Sequence, residues 1–329
     1  MNNIAVVVVT HNSAGVIDDC LASCTGLDVL VVDNSSRDST VAHVEKHLNV
    51  RLIANRQNRG FAGAVNQAAM TIESPYILLL NPDVRLRDSP APLASLLDNN
   101  PQCGIAAGLL ANRDGSPQKG FTARRFPSAT ALIFEVLGIN RVAPWNPVNR
   151  HYRYLDRNFT APAEVDQPAG ALLLFRKELW RAMGGFDERF YPVWFEDVDF
   201  CRRAVTAGWR IMLAPSVRAF HAGGHSVNQL TPECRDLFWY GSLLSYAARH
   251  FPAWKFRAIS TAVVLGSVLR AIAGAAVSRS LRPLAIYSKV VRLAAGCMLS
   301  GNGCSDSAGR WRMQTEVNHC SGAETGITD

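Results

Sequence analysis

The chain has 329 residues, 48% hydrophobic and 19% charged, which excludes general disorder and allows one large domain or two smaller ones. Its net charge of +7 is unevenly placed: between Arg249 and Arg312 there are ten Lys or Arg and a single acid, Asp306. An anionic partner is expected there, a phospholipid surface or a pyrophosphate, and nucleic acid is not, since no recognition motif accompanies the charge.

The eight cysteines contain no CxxC pair and sit mostly in apolar contexts, the pattern of reduced thiols rather than a disulfide frame or zinc site. The first apolar run is short and lacks a basic leader, so no signal peptide is expected. Ile4 to Val9 is almost continuously β-branched, as in a central parallel strand buried on both faces. Thr10-His11-Asn12-Ser13 stops it, and Val16, Ile17, Cys20, Leu21 and Cys24 then carry helical spacing. A second strand from Val29 to Val32 ends in Asp33-Asn34-Ser35-Ser36 and is followed by a helix from about Ser39 to His47. Val50 to Ile53 gives a third strand, and Asn58-Arg59-Gly60-Phe61 opens another helix. The fourth strand, Tyr76 to Leu80, is closed by Asn81-Pro82-Asp83.

This alternation predicts a doubly wound, parallel sheet whose strand-end residues Thr10, Asn12, Asp33, Asn34, Arg59 and Asp83 converge on one crevice. Pro82 cannot donate to a sheet ladder, so Asp83 lies beyond the sheet, where a hard divalent cation could use its carboxylate. Three of these positions also have a plain reading: an Asx turn for Asp33, surface charge for Arg59, a simple turn for the Asn81-Pro82-Asp83 that carries Asp83. Gly60-x-x-Gly63 is neither a dinucleotide fingerprint nor a Walker loop, which removes the main support for hydride transfer or P-loop hydrolysis.

A helix between Pro90 and Pro101 and an apolar run from Ile105 to Leu110 come next. Arg113 to Arg157 is rich in Gly, Pro, Arg and aromatics, and its length suggests a lid or acceptor loop with Lys119, Arg124 and Arg125 available for phosphate. A strand and helix follow between Asp166 and Met183, then Gly184-Gly185-Phe186-Asp187 and Trp194-Phe195-Glu196-Asp197-Val198-Asp199-Phe200. Val198, Cys201 and Val205 mark the buried face of a helix ending near Gly208. Acids at a helix start can simply complement its dipole, but aromatic walls would raise a carboxyl's pKa and make it a useful general base. After a strand from Arg210 to Ala214, His221 precedes a Gly-Gly turn and is the better placed of His221 and His225 to reach a metal or phosphate.

Taken together, Val9-Thr10-His11-Asn12, Val32-Asp33-Asn34-Ser35-Ser36, Asn58-Arg59-Gly60-Phe61, Asn81-Pro82-Asp83, Gly184-Gly185-Phe186-Asp187, Phe195-Glu196-Asp197-Val198-Asp199 and His221 resemble the inverting glycosyltransferases of family 2, especially the bacterial rhamnosyltransferase-like branch. The resemblance spans roughly the first 230 residues and implies a GT-A fold with a mostly parallel sheet, a nucleotide-diphosphate sugar donor such as a dTDP- or UDP-sugar, and Mg2+ or Mn2+. It implies that Thr10, Asn12, Asp33, Arg59, Gly60 and Asn81 hold the nucleotide sugar and that Asp83 and His221 hold the metal. Asp197 would be the catalytic base, with Trp194, Glu196 and Asp199 at the acceptor or in support. One departure is Asn81, which stands where the usual Asp-x-Asp begins.

The expected organisation is a catalytic domain over 1–230, its nucleotide-sugar half at about 1–110 and its acceptor and base half at about 111–230. A basic helical region over 231–301 and a mobile tail over 302–329 complete it. Ala258 to Val277 has about the roughly 20 residues that span a bilayer, yet Arg270 near its centre is costly there. Interfacial helices at the inner face of the cell membrane, with a second segment from Pro283 to Leu299, are the favoured reading. A helical subdomain packed on the core or a homodimer contact is the other. The activity expected is transfer of a sugar, rhamnose from dTDP-rhamnose being the leading case, to a lipid-linked or cell-envelope glycan. A sugar-1-phosphate nucleotidyltransferase and a non-catalytic glycan- or nucleotide-binding protein are the alternatives.

Overall fold

The structure is a computed structural model that describes residues 3–300, so the tail expected over 302–329 lies outside the described residues. Two compact units are formed. The first comprises the chain up to Phe126, His151–Glu188 and Glu196–Ser226; the second comprises Pro127–Arg150, Arg189–Phe195 and the chain from Val227.

The first unit carries the sheet. β1 (Ile4–Thr10) is buried along its whole length, as its β-branched run requires. It is followed by α1 (Ile17–Ala22), β2 (Asp28–Asp33), α2 (Thr40–Glu45), β3 (Val50–Ala54), α3 (Gly60–Thr71) and β4 (Tyr76–Leu80). β2 and β4 flank β1 in parallel, with Val7 beside Leu30 and Leu79, and β3 extends β2 in parallel. Because all of these strands point the same way, the polar residues that follow them emerge at one edge. Side chains of β1 alternate between two apolar layers: Val6 and Val8 pack on one face of the sheet, Val7 and Val9 on the other.

β5 (Val84–Leu86), α4 (Ala91–Asp98) and β6 (Cys103–Ala111) come next. The stretch expected as a lid or acceptor loop, Arg113 to Arg157, carries short elements of its own: β7 (Ala123–Arg124), α5 (Ala129–Val136), α6 (Ile139–Val142) and α7 (Pro147–Tyr152). Ser128 starts α5 by accepting the Ala131 amide on its Oγ at 3.1 Å, a capping signal outweighed in the sequence by the surrounding Gly, Pro and Arg. Then follow β8 (Ala163–Glu164), β9 (Gln167–Pro168), β10 (Leu172–Arg176), α8 (Lys177–Ala182), α9 (Glu196–Thr206) and β11 (Arg210–His221).

The main sheet has the order β3-β2-β1-β4-β10-β6-β11-β5, with β8 beside β11, while β7 and β9 form a separate pair. β10 runs antiparallel between β4 and β6, and β11 is parallel to β6, so the sheet is mostly rather than wholly parallel. β11 was expected to end at Ala214. It continues through Pro215 because a register shift between Leu213 and Arg218 absorbs the proline. That extension sets His221 beside Val84, next to Asp83.

Two buried polar anchors hold the segment between α8 and α9. Asn66 of α3 donates to the Phe186 carbonyl at 2.8 Å and accepts the Phe186 amide at 2.8 Å and the Trp180 indole at 3.1 Å. Asp199, fully buried, receives Arg203 Nε at 2.7 Å, while the same guanidinium donates to the Met183 and Gly185 carbonyls at 2.8 and 2.9 Å. Val205 does not share the buried face of α9; it is exposed, and Asp199, Phe200 and Ala204 are buried with Val198 and Cys201.

The second unit is helical. After α10 (His225–Asn228), which straddles the boundary, come α11 (Pro232–His250), α12 (Ala253–Ser278) and α13 (Arg282–Ser300). α12 packs on α13 and on α5. Gly266 permits the second contact, since a β-carbon there would overlap the Val136 carbonyl oxygen. Arg270 donates to the carbonyls of Val136 and, at 3.3 Å, of Glu135, so its charge rests on the C-terminal carbonyls of α5, the Glu135 carbonyl also accepting the Gly138 amide at 3.1 Å. α12 is long and apolar enough to cross a membrane, yet 39% of its most apolar window is buried within the protein. Leu265, Val268, Leu269 and Ile272 remain exposed at i, i+3, i+4 and i+7 spacing, one continuous stripe. Cys20, Cys24, Cys103 and Cys201 are free and buried, whereas Cys234 and Cys297 are disulfide-bonded. That corrects the expectation of uniformly reduced thiols, because spacing along a sequence carries no information on connectivity.

Candidate active site

At the ends of β1 and β2, Thr10 Oγ donates to Asp33 Oδ1 at 2.9 Å, Ser36 Oγ donates to the same oxygen, and the Ser36 amide donates to Oδ2 at 2.9 Å. The carboxylate therefore makes the Asx-type turn and stands at the strand end at once; the two readings of Asp33 are not exclusive. Asn12, at φ 51°, accepts the Arg37 amide on Oδ1 at 2.7 Å, and its carbonyl lies 3.0 Å from His225 Nε2. Asn34, buried, accepts the Arg59 amide at 2.9 Å and donates to Asn58 Oδ1 at 2.9 Å and the Gly60 carbonyl at 3.0 Å. This network fixes the start of α3, where Gly60 takes a φ of 73° and the Arg59 side chain is exposed.

At the end of β4, Asn81 donates its amide to the Ala171 carbonyl at 3.1 Å and accepts the Val84 amide at 3.0 Å, which turns the chain and presents Asp83. Asp83 Oδ1 and His221 Nε2 are 3.6 Å apart, on side chains 5% and 4% exposed. His221 Nδ1 lies 2.9 Å from Gln118 Oε1, Gln118 Nε2 donates to the His221 carbonyl at 2.9 Å, and Phe121 stacks on the imidazole at 5.0 Å. Burial lowers the His221 pKa, with Asp83 opposing, so the ring favours the neutral form that ligates metals. Among the described residues no group of three or more His, Cys, Asp or Glu forms a metal cage. One hard carboxylate and one borderline imidazole, leaving the remaining positions to phosphate and water, nevertheless fit Mn2+, and the carboxylate with phosphate and water fits Mg2+. A cavity of about 620 Å³ lies against His221, with Lys119, Phe121, Gly223 and Gly224 in its wall.

The acidic trio at the start of α9 separates into three roles. Asp197 accepts the Gly170 amide on Oδ2 at 3.0 Å and the Val198 amide on Oδ1 at 2.8 Å. Burial raises its pKa, against those two amides and the Arg124 charge. Gly170 leaves little room above it, since a β-carbon would sit 3.2 Å from Asp197 Cβ and Oδ2. Asp199 is tied up with Arg203 and supports the fold. Glu196 is buried with no hydrogen-bond partner on Oε2, and burial, followed by the neighbouring Asp197 charge, pushes its carboxyl well above the usual range.

The aromatic neighbours behave differently from expectation. Phe200 lies in the core, stacked on Phe186 at 4.3 Å, and Phe195 packs on Tyr246 at 5.3 Å within the second unit. Trp194 belongs to that unit as well, half-buried, and it and Phe195 take φ values of 80° and 69°. The segments of Asp83 and Asp197 meet through two consecutive residues: the Ala171 carbonyl accepts the Asn81 amide, and the Gly170 amide donates to Asp197. Gln118, Gly170 and Arg124 complete this arrangement. Sequence reading offered Arg124 only as a phosphate contact and gave Gln118 and Gly170 no role.

The profile described as Glycosyl transferase family 2 matches residues 5–179, more than half of the chain. The chain belongs to glycosyl transferase family 2. It is 30% identical over 271 residues to N-acetylglucosaminyl-diphospho-decaprenol L-rhamnosyltransferase of Mycobacterium tuberculosis, across 76% of this chain and 86% of that protein. Among solved structures it is similar to S. aureus TarS 1–349 in complex with UDP-GlcNAc, with a TM-score of 0.53 and 16% identity over 92% of this chain and 82% of that one. It is also similar to the mannosyltransferase PcManGT from Pyrobaculum calidifontis in complex with GDP-Man and Mn2+, with a TM-score of 0.50 and 19% identity over 96% and 84%. At such identities the likeness concerns the fold, which is the GT-A fold expected from the sequence. Family membership makes this glycosyltransferase an enzyme, and the nucleotidyltransferase and binding-protein readings give way to it.

Proposed function

We propose that this glycosyltransferase moves rhamnose from dTDP-rhamnose to a hydroxyl of a lipid-linked glycan acceptor by a metal-dependent, inverting displacement. The observation that carries the reading is that the turn presenting Asp83 is hydrogen-bonded through Asn81 to Ala171, whose neighbour Gly170 holds Asp197, a raised-pKa carboxylate of the kind a general base requires. The mycobacterial relative, named for a diphospho-decaprenol acceptor and rhamnosyl transfer, supports the choice of sugar and acceptor.

In this mechanism Thr10, Asn12, Asp33, Arg59 and Gly60 hold the nucleotide, and Asn81 turns the chain at the diphosphate. Asp83 and His221 hold Mg2+ or Mn2+, whose charge would stabilise the departing diphosphate. Asp197 accepts the proton of the acceptor hydroxyl as that oxygen attacks the anomeric carbon from the face opposite the leaving group. Glu196 and Asp199 keep the start of α9 in place, and Trp194 belongs to the acceptor side. Residues 1–230 act as the catalytic domain. The region 231–301 rests on the inner face of the membrane through the Leu265, Val268, Leu269 and Ile272 stripe of α12, with Lys255, Arg257, Arg279 and Arg282 facing anionic headgroups.

A screen of dTDP-, UDP- and GDP-sugars, with and without Mg2+ or Mn2+, against a polyprenyl-diphosphate-linked glycan tests this function. The expected result is metal-dependent consumption of dTDP-rhamnose alone and sedimentation of the protein with anionic but not neutral phospholipid vesicles. Turnover of another donor would replace the sugar, metal-independent turnover would remove the cation, and indifference to anionic vesicles would remove the membrane contact.

A further inference from the structure

The side-chain amide of Gln118 is oriented by its surroundings. Its Nε2 lies 2.9 Å from the His221 carbonyl oxygen, which can only accept, and 2.9 Å from Asn112 Oδ1. Asn112 in turn uses its Nδ2 on Ser116 Oγ at 2.9 Å, so its oxygen is the acceptor. The nitrogen of Gln118 must therefore face these two groups, and its oxygen must face His221 Nδ1 at 2.9 Å. An amide oxygen there requires a proton on Nδ1, which leaves Nε2 of the neutral ring with a bare lone pair.

That lone pair is directed at the cation end. Nε2 lies 3.6 Å from Asp83 Oδ1 and both side chains are almost fully buried, so with the neutral ring two acceptors face each other across a gap that a cation fills, as a proton on Nε2 does with the charged ring. The arrangement is held from every side. The Gln118 amide donates to the Leu110 carbonyl at 2.9 Å, the Ala222 amide to the Asp83 carbonyl at 3.1 Å, and Phe121 lies 20° from parallel over the imidazole.

We propose that Gln118 is the positioning residue of the cation site, holding His221 as the Nδ1–H tautomer so that Nε2 and Asp83 Oδ1 together receive a hard divalent ion. This rests on the metal-dependent part of the proposed function. Gln118 acts through His221, to which it is hydrogen-bonded by both ends of its side-chain amide. Groups that orient a metal-ligating histidine from behind typically contribute about 10–100-fold to metal affinity.

The test uses the full chain and two variants. Gln118→Met keeps the length of the side chain but offers no amide, and Gln118→Glu keeps an acceptor facing Nδ1. Long-range 1H–15N NMR reads the His221 tautomer in metal-free protein, assigned against His221→Gln, and electron paramagnetic resonance of free Mn2+ reads affinity with Mn2+ alone and with Mn2+ plus UDP. The expected result is the Nδ1–H tautomer in wild type and Gln118→Glu, a mixed or Nε2–H population in Gln118→Met, and Mn2+ affinity about 10–100-fold weaker in Gln118→Met with Gln118→Glu close to wild type. Unchanged tautomer and affinity in Gln118→Met would overturn the proposal, and so would weakened affinity without a change of tautomer, which marks a merely structural role. If wild type held the Nδ1–H tautomer but bound no Mn2+ with or without UDP, the metal-dependent reading would fall and this inference with it. Loss of the Gln118 role alone leaves wild-type Mn2+ binding intact, so the two failures are distinguishable.

Discussion

Asp197→Asn lowers kcat by about 10²–10⁴-fold, the usual worth of a positioned proton acceptor, and leaves donor affinity unchanged. The asparagine keeps an oxygen for the Gly170 amide and the same volume beneath it, so the proton-accepting charge is lost together with one hydrogen bond, from the Val198 amide. Burial raises the Asp197 pKa, and a base works only when deprotonated. Wild-type kcat/KM should therefore rise with pH through a value above that of an ordinary aspartate and fall away on the acid side of it. Steady-state kinetics from pH 4 to 9, with donor titration calorimetry on both proteins, check both statements. A variant retaining wild-type kcat would remove Asp197 from the chemistry, and weaker donor binding at unchanged kcat would move it to the donor.

Asp199→Ala, two residues away, acts on stability. It leaves Arg203, with a side chain 15% exposed, without its carboxylate, and removing one partner of a buried ion pair costs about 3–5 kcal/mol. Since the Met183 and Gly185 carbonyls still accept from the guanidinium, the lower end is expected, a fall in Tm on the order of 6–12 °C. Calorimetric melting of wild type, Asp197→Asn and Asp199→Ala separates the roles: Asp197→Asn, which gives up one amide contact, melts close below wild type and Asp199→Ala well below both. A stable Asp199→Ala protein without activity would place Asp199 at the acceptor.

The first four strands are legible in the sequence because each is a short apolar run closed by polar, turn-forming residues, and the observed boundaries differ by a residue or so. The position of Asp83 just past an apolar strand is legible for the same reason, whereas the strand that carries His221 runs past the end at Ala214 expected for it. What the sequence hides is pairing across distance. Arg113 to Arg157 has the composition of a loop, yet α5 forms there because α12 packs against it through Gly266 and Arg270 caps its carbonyls. Arg270 looks costly only while its partners, 134 and 135 residues away, are unseen. Likewise the aromatic residues around Asp197 suggest an apolar wall, but Phe200 turns into the core and Phe195 to Tyr246, and burial raises the carboxyl against the Gly170 and Val198 amides that lower it. Gln118 carries no signal at all until β11 extends past Pro215 and delivers His221 to it.

The central claim is a single displacement assisted by one carboxylate. At the start of α9 Asp199 is committed to Arg203 and Glu196 is buried and held toward its protonated form, which leaves Asp197 to act as base and no neighbour in that trio to form a covalent sugar intermediate. The decisive measurement is the anomeric configuration of the transferred sugar, read from the one-bond 13C–1H coupling at its anomeric carbon and compared with the donor. Opposite configurations in donor and product are predicted. The same configuration in both would contradict the account, since retention demands a second nucleophile that Asp197 acting as a base does not supply.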